Sequence, residues 1–137
     1  SQVRAKHILI KCNQADPNDR ARAQERAIEL RQRILAGESF AKLAKDYSDD
    51  PESAARGGDL GYYPKNSFEE AFEKYVWEAP LNQLSDVVKT AHGFHLIVVL
   101  DRHLSKADAY EQSLKEKATQ QLEGAPRYDF MRMSDPV

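Results

Sequence analysis

An α+β fold, one four-stranded antiparallel sheet surrounded by helices with an extra C-terminal helix and tail, is what this 137-residue sequence predicts. Three observations predict it. Apolar alternation opens the chain over residues 3–11 and returns as a hairpin over residues 86–102. Between them lie three segments with helical spacing and a short strand-like stretch at 60–63. Runs of helices between antiparallel strands pack around one sheet, whereas a parallel sheet needs strand and helix to alternate one for one.

Taken in order, residues 3–11 alternate and then turn continuously apolar at Ile8, Leu9 and Ile10, as a central strand does. Residues 13–18 read as a loop, with Asp19 capping a helix over 20–36 and Gly37 stopping it. Ala23, Ala27, Leu30 and Ile34 share one face of that helix. Ser39 caps a second helix to Tyr47, with Phe40, Leu43, Ala44 and Tyr47 inward. Residues 48–61 show no periodicity and read as a long surface loop, a class that is often functional. Ser67-Phe68-Glu69-Glu70 has the form of a capping box for a third helix through Tyr75, and Pro80 ends any continuation. Residues 86–90 and 94–102 are strands joined by a tight turn at Ala91, His92 and Gly93. Phe94, Leu96, Val98 and Leu100 share one face of the second strand; His95, Ile97 and Val99 share the other. Ser105 opens a fourth helix to about Glu123, and residues 127–137 read as a flexible tail. The division is therefore a domain over 1–104 and a C-terminal helix and tail over 105–137.

Composition removes several classes. Hydrophobic residues make up 41% and charged residues 31%, too apolar for a disordered chain. No apolar run approaches the roughly 18 residues of a membrane span. Twenty basic against twenty-two acidic residues give a net charge of −2, and a nucleic-acid domain carries a basic excess instead. Cys12 is the only cysteine, which excludes an intrachain disulfide and a zinc ribbon. A metal reading of His7, His92 and His95 lacks a positioned carboxylate or thiol as a further ligand. The chain opens at Ser1 without Met and reads as a domain taken from a longer protein, so the missing leader says nothing about location.

Five segments in register carry a resemblance. They are His7-Ile8-Leu9-Ile10-Lys11, Gly37-Glu38-Ser39-Phe40-Ala41-Lys42-Leu43-Ala44, Tyr47-Ser48-Asp49-Asp50, Gly57-Gly58-Asp59-Leu60-Gly61-Tyr62-Tyr63 and Val88-Lys89-Thr90-Ala91-His92-Gly93-Phe94-His95. Over roughly residues 3–102 the chain resembles the parvulin family of peptidyl-prolyl cis/trans isomerases, with a trailing helix like those of bacterial foldase-type parvulins. The resemblance implies an FKBP-like superfold and isomerisation of X–Pro bonds. That reaction crosses a barrier of about 18–20 kcal/mol because the amide loses its resonance when twisted. It transfers no atom between molecules, so no metal and no cofactor is expected. An apolar cup for the proline ring and a few polar groups favouring the twisted amide suffice.

Carried over by position, the resemblance implies a substrate pocket at Leu60, Phe68 and Phe72, with His92 beside it. It implies a catalytic network of the paired histidines His7 and His95 with Thr90, and Asp50 next to the reacting amide. His7 and His95 are expected to be hydrogen-bonded to each other or through Thr90, with at least one imidazole neutral, since two buried cations would repel. Without the resemblance, Phe68 and Phe72 at i and i+4 read as core, and Asp50 before Pro51 as a turn-forming carboxylate.

Departures from the family narrow the substrate. Asp16 and Pro17 stand where phosphate-selective parvulins carry paired arginines, so unphosphorylated X–Pro is expected, and Leu81 and Leu84 hint at apolar substrates. Asn82 replaces a usual turn glycine, a mild change because Asn tolerates the left-handed conformation. The implied partners are unfolded or extended polypeptides containing X–Pro, with no nucleic acid and no membrane insertion. The implied location is periplasmic or otherwise extracytoplasmic in bacteria. Two alternatives stand beside this: an inactive module that only binds extended apolar segments, and a tail that occupies the groove near Leu60, Phe68 and Phe72.

Overall fold

In the computed structural model, which describes residues 1–124, β1 (Gln2–Lys11) lies inside a four-stranded antiparallel sheet. The strand order is β2 (Asp59–Pro64), β1, β4 (Gly93–His103), β3 (Val88–Thr90). The pairing of β1 with β4 is the longest, from Gln2 opposite His103 to Lys11 opposite Gly93. β2 covers only residues 2–6 of β1.

Side-chain alternation sends the two halves of the core to opposite faces. On one face Ile8, Ile10, Phe94, Leu96 and Val98 meet α1 (Pro17–Leu35) and α2 (Phe40–Tyr47). Ala23 and Ala27 are fully buried there, so α1 approaches the sheet closely beside Leu30. On the other face Val3, Ala5, Ile97 and Val99 pack under Phe72 and Val76 of α4 (Glu70–Glu78). Each large side chain so buried contributes about 1.5–3 kcal/mol. The rows Val3, Ala5, His7 and Val99, Ile97, His95 belong to this second face, so period-two geometry alone brings both histidines beneath α4.

Helix ends depart from expectation at two places. α1 begins at Pro17, with Asp16 as its cap, accepting from the N–H groups of Asn18 and Asp19. Proline is favoured in a first turn because its missing N–H has no partner to lose there, and this starts the helix three residues early. Asp19 accepts the Asn13 N–H at 2.7 Å instead. We expect Asp16→Ala to lower unfolding free energy by about 1 kcal/mol. Denaturant melts check this: an unchanged midpoint would show that Asp19 can take over.

The expected capping box at Ser67 does not form. Ser67 Oγ donates to the Pro64 carbonyl, and α4 starts at Glu70 and runs past Tyr75 to Glu78. Glu73 reaches back instead, accepting the N–H of Asn66 at 2.7 Å and of Phe68 at 3.3 Å. Asn82 adopts φ 60°, the left-handed value expected of it.

The 48–61 segment is not a free loop. It contains α3 (Pro51–Ala54) and enters β2 at Asp59. A second compact unit begins at Leu104 and contains α5 (Lys106–Gly124), where Ser105 Oγ accepts the Asp108 N–H as expected. Tyr110 and Leu114 are exposed. The expected tail lies outside the described residues. Among the described residues no helix is long and apolar enough to cross a membrane.

Candidate active site

The C-terminal half of β1, left uncovered by β2, is stitched to the 48–58 segment. His7 N–H donates to the Gly58 carbonyl, Leu9 N–H to Ser48 Oγ, Asp49 N–H to the Leu9 carbonyl, and Lys11 N–H to the Asp49 carboxylate. Gly58 sits at φ 94°, and a Cβ there would lie 2.6 Å from the His7 carbonyl oxygen. Only glycine allows so close an approach in that conformation. The stitching carries Asp50 to the side of His7.

Four side chains then form one hydrogen-bonded line. Asp50 Oδ2 is 2.8 Å from His7 Nε2, His7 Nδ1 is 3.1 Å from His95 Nδ1, and His95 Nε2 is 2.8 Å from Thr90 Oγ1. Proton positions follow from the partners. Asp50 is ionised and can only accept, so His7 Nε2 carries a proton. A neutral His7 then accepts at Nδ1, so His95 donates from Nδ1 and accepts at Nε2 from the Thr90 hydroxyl. His92 N–H in turn donates to Thr90 Oγ1 at 3.3 Å, and Ser53 Oγ donates to Asp50 at 2.6 Å. Every bond from Thr90 onward points toward Asp50.

Burial sets the charge of this line. Both imidazoles are only 6% exposed. Burial pushes the His7 pKa down against the opposing pull of Asp50. His95 is pushed down to about 3, by burial first and by the facing His7 second. Burial works against Asp50 ionising, but hydrogen bonds from Ser53 and His7 outweigh it, and its pKa lies below the usual carboxylate value. The pair is neutral at pH 7.

Phe72 covers both rings edge-on, with centroids 5.6 Å from His7 and 5.2 Å from His95. Phe68 lies 4.6 Å from Phe72 and 5.1 Å from Tyr63. Leu60, Phe68 and Phe72 wall a cavity of about 220 Å³, whose floor is His7, His95 and Thr90. Pockets for drug-sized ligands are roughly 300–1,000 Å³, so this one suits a single ring. A larger cavity of about 430 Å³ lies between α4, Arg31 and the 80–86 segment. It is bordered by the Arg31–Asp86 ion pair and contains no comparable line of buried polar groups.

Seven of the eight residues singled out in the sequence border the small cavity. Asp50 does not; it reaches the cavity only through His7. His92 stands at the rim, 67% exposed and bonded to Glu69. Sequence reasoning missed Ser53, Ser67 and Glu69. The spacing of Ser53 three residues after Asp50 was a usable signal, since such pairs bond across a helix start. Nothing local marked Glu69. Among the described residues no cluster of His, Cys, Asp and Glu could hold a metal ion.

Comparison with known proteins gives the family and the fold. The family profile described as the PPIC-type PPIase domain matches residues 1–103. Chaperone SurA of Pseudomonas fluorescens is 39% identical over 117 residues, covering 85% of this chain and 26% of that protein. Foldase protein PrsA of Geobacillus kaustophilus is 37% identical over 106 residues, 77% of this chain and 34% of its own length. The chain thus spans about a quarter to a third of the curated relatives it matches. The peptidylprolyl isomerase PrsA of Bacillus anthracis superimposes with a TM-score of 0.64 at 28% identity, over 91% of this chain and 53% of that one. Peptidyl-prolyl isomerase ESS1 of Candida albicans gives the same TM-score and identity over 73% of this chain and 63% of its own. The chain belongs to the PpiC-type, or parvulin, family of peptidyl-prolyl cis/trans isomerases.

Proposed function

We propose that residues 1–104 catalyse cis/trans isomerisation of unphosphorylated X–Pro bonds in unfolded or extended polypeptides, with residues 105–137 as an appended helix and tail. One observation supports this above the others: Leu60, Phe68 and Phe72 converge over a buried, neutral imidazole pair. In this reading Leu60, Phe68 and Phe72 hold the proline ring, and His92 meets the flanking chain at the rim. His7, His95 and Thr90 keep the floor rigid and uncharged, and Asp50, bonded to His7 from outside the cavity, fixes that ring's orientation and proton.

The chemistry follows from what an amide loses on twisting. Its planar form is charge-separated by resonance, and water stabilises that separation. A dry apolar cup withdraws the stabilisation, while the twisted amide has less to lose. Fixed dipoles along the histidine line cost no reorganisation as the bond turns. Two cationic imidazoles in the same place would draw water in and push the walls apart. Uncatalysed turnover takes tens to hundreds of seconds, slow enough to limit folding of a client.

Substrate class follows from charge. The cavity wall holds no Lys or Arg, and Asp16 is occupied as the cap of α1. A protease-coupled assay on an Ala-Leu-Pro-Phe peptide tests the activity, and the same peptide with alanine or phosphoserine before proline tests the class. We expect no gain from the phosphate; a preference of about tenfold, some 1.4 kcal/mol, for phosphoserine over alanine would overturn this. Peptide binding without acceleration would favour a module that only holds extended segments. The likeness to proteins named chaperone SurA and foldase PrsA supports unfolded polypeptides as clients. It also supports a place outside the bacterial cytoplasm, which cell fractionation tests.

A further inference from the structure

Glu69 turns its carboxylate away from the helix it begins. It is the N-cap residue of α4 but makes no side-chain capping bond there. A carboxylate at that position ordinarily satisfies free amides of its own first turn. Instead Glu69 reaches the β3–β4 turn: Oε1 accepts the Ala91 N–H at 2.6 Å, and Oε2 lies 2.8 Å from His92 Nδ1. The chain separation is 22 and 23 residues, so no local propensity produces this contact.

The two elements it joins are different walls of one pocket. Phe68 and Phe72 come from the α4 segment, and Thr90 and His92 from the hairpin. Because Ala91 is held by its backbone, the bond fixes the path of the turn and not merely a side chain. The far side of the turn is held by Cys12 N–H on the His92 carbonyl and Gln14 Nε2 on the Thr90 carbonyl, and Glu69 ties it on the α4 side. The Glu69 pKa is lowered, chiefly by the Ala91 N–H and then, against some burial, by His92, so the bond is charge-assisted at neutral pH.

We infer that Glu69 is a positioning residue: it latches the turn at Ala91 and His92 to the start of α4 and so sets the width of the mouth through which an X–Pro segment enters. The inference rests on the reading of this cavity as the proline site. Without the latch the turn keeps its anchors at Cys12 and Gln14 but is released from α4, and bound peptide loses the fixed spacing between those two walls. The floor and the apolar cup, which govern the twist, stay in place.

The test uses the full chain and the Ala-Leu-Pro-Phe peptide. Glu69→Ala is expected to raise KM about tenfold with kcat within about twofold. It should also shift the Ala91 amide proton upfield as a strong acceptor is removed. Glu69→Gln keeps an oxygen for Ala91 and should recover most of the affinity. Ala27→Gly, in α1 under the opposite sheet face, loosens the fold without touching the pocket and should keep the wild-type KM. An unchanged KM in Glu69→Ala, an equal rise in Ala27→Gly, or a Gln variant as weak as the Ala variant would overturn the latch. Peptide affinity from amide-shift titration reads the same loss without turnover. A wild-type chain that binds peptide without catalysing, while Glu69→Ala binds about tenfold more weakly, would sink the isomerase reading and leave the latch standing. A wild-type chain that neither binds nor isomerises the peptide would overturn both.

Discussion

Phe72→Ala should cost about a hundredfold or more in kcat/KM, equivalent to some 2.7 kcal/mol, measured well below the melting temperature. Phe72 is 3% exposed, and its ring covers both imidazoles and one side of Phe68. Truncation removes the wall of the cup and lets water onto the histidine floor. Stability should fall as well, by about 3–5 kcal/mol for a buried aromatic ring. The two losses are separated by Val76→Ala, one turn further along α4. Val76 is fully buried in the same apolar cluster but does not border the cavity. That variant should melt earlier and turn over normally when folded. Equal activity in both variants at low temperature would make Phe72 a core residue only.

Acid should remove activity and stability together. His7 and His95 both have pKa values below the 6.5 of a free imidazole. The unfolded chain therefore binds more protons than the fold once pH drops below about 6.5, and stability declines with falling pH. For His95 the decline continues toward its value of about 3. Asp50 acts in the same direction at the bottom of the range, since its carboxyl also lies below its ordinary value of 3.8. The contribution is complete above pH 6.5, and these groups give no loss on the alkaline side. A midpoint lower by about 8 °C or more at pH 4.5 than at pH 7.5 is expected, given about 4–8 °C per kcal/mol for a domain of this size. Ring-nitrogen shifts should show both imidazoles neutral at pH 7. Independent titration near 6.5, or a midpoint flat down to pH 4.5, would refute the neutral pair.

What the sequence revealed was whatever repeats locally. Alternation in β4 separated Phe94, Leu96 and Val98 from His95, Ile97 and Val99, and the sheet faces divide that way. The stripe of Ala23, Ala27 and Leu30 lies buried as its spacing required. The turn at Ala91 and His92 and the left-handed Asn82 followed from residue chemistry. Ends were harder. Asp16 and Asp19 are both competent caps, and only Pro17 in the first turn decides between them. Ser67 bonds outside the expected box, to the Pro64 carbonyl, and Glu73 rather than Glu70 reaches back, to the amides of 66 and 68. The 48–58 segment lacked any period because it holds a single short helical turn and takes the rest of its order from β1. His7, Asp50, Thr90 and His95 could be named together only through the resemblance; their separations of 5 to 88 residues hide the line they form. Glu69 had neither a period nor a family motif to betray it.

The stitched half of β1 has a consequence if, as proposed, extended chains come to this cavity. A bare strand edge is a template onto which any extended polypeptide can zip, and captured clients would then be sequestered and prone to aggregate. β2 shields β1 from Gln2 to Lys6, and beyond it the N–H groups of His7, Leu9 and Lys11 are already spoken for. Next to the cavity, then, a passing chain finds no ladder on β1 to join. Under the proposed function, β1 gives a client no second grip beside the cup, and release depends on the proline leaving it.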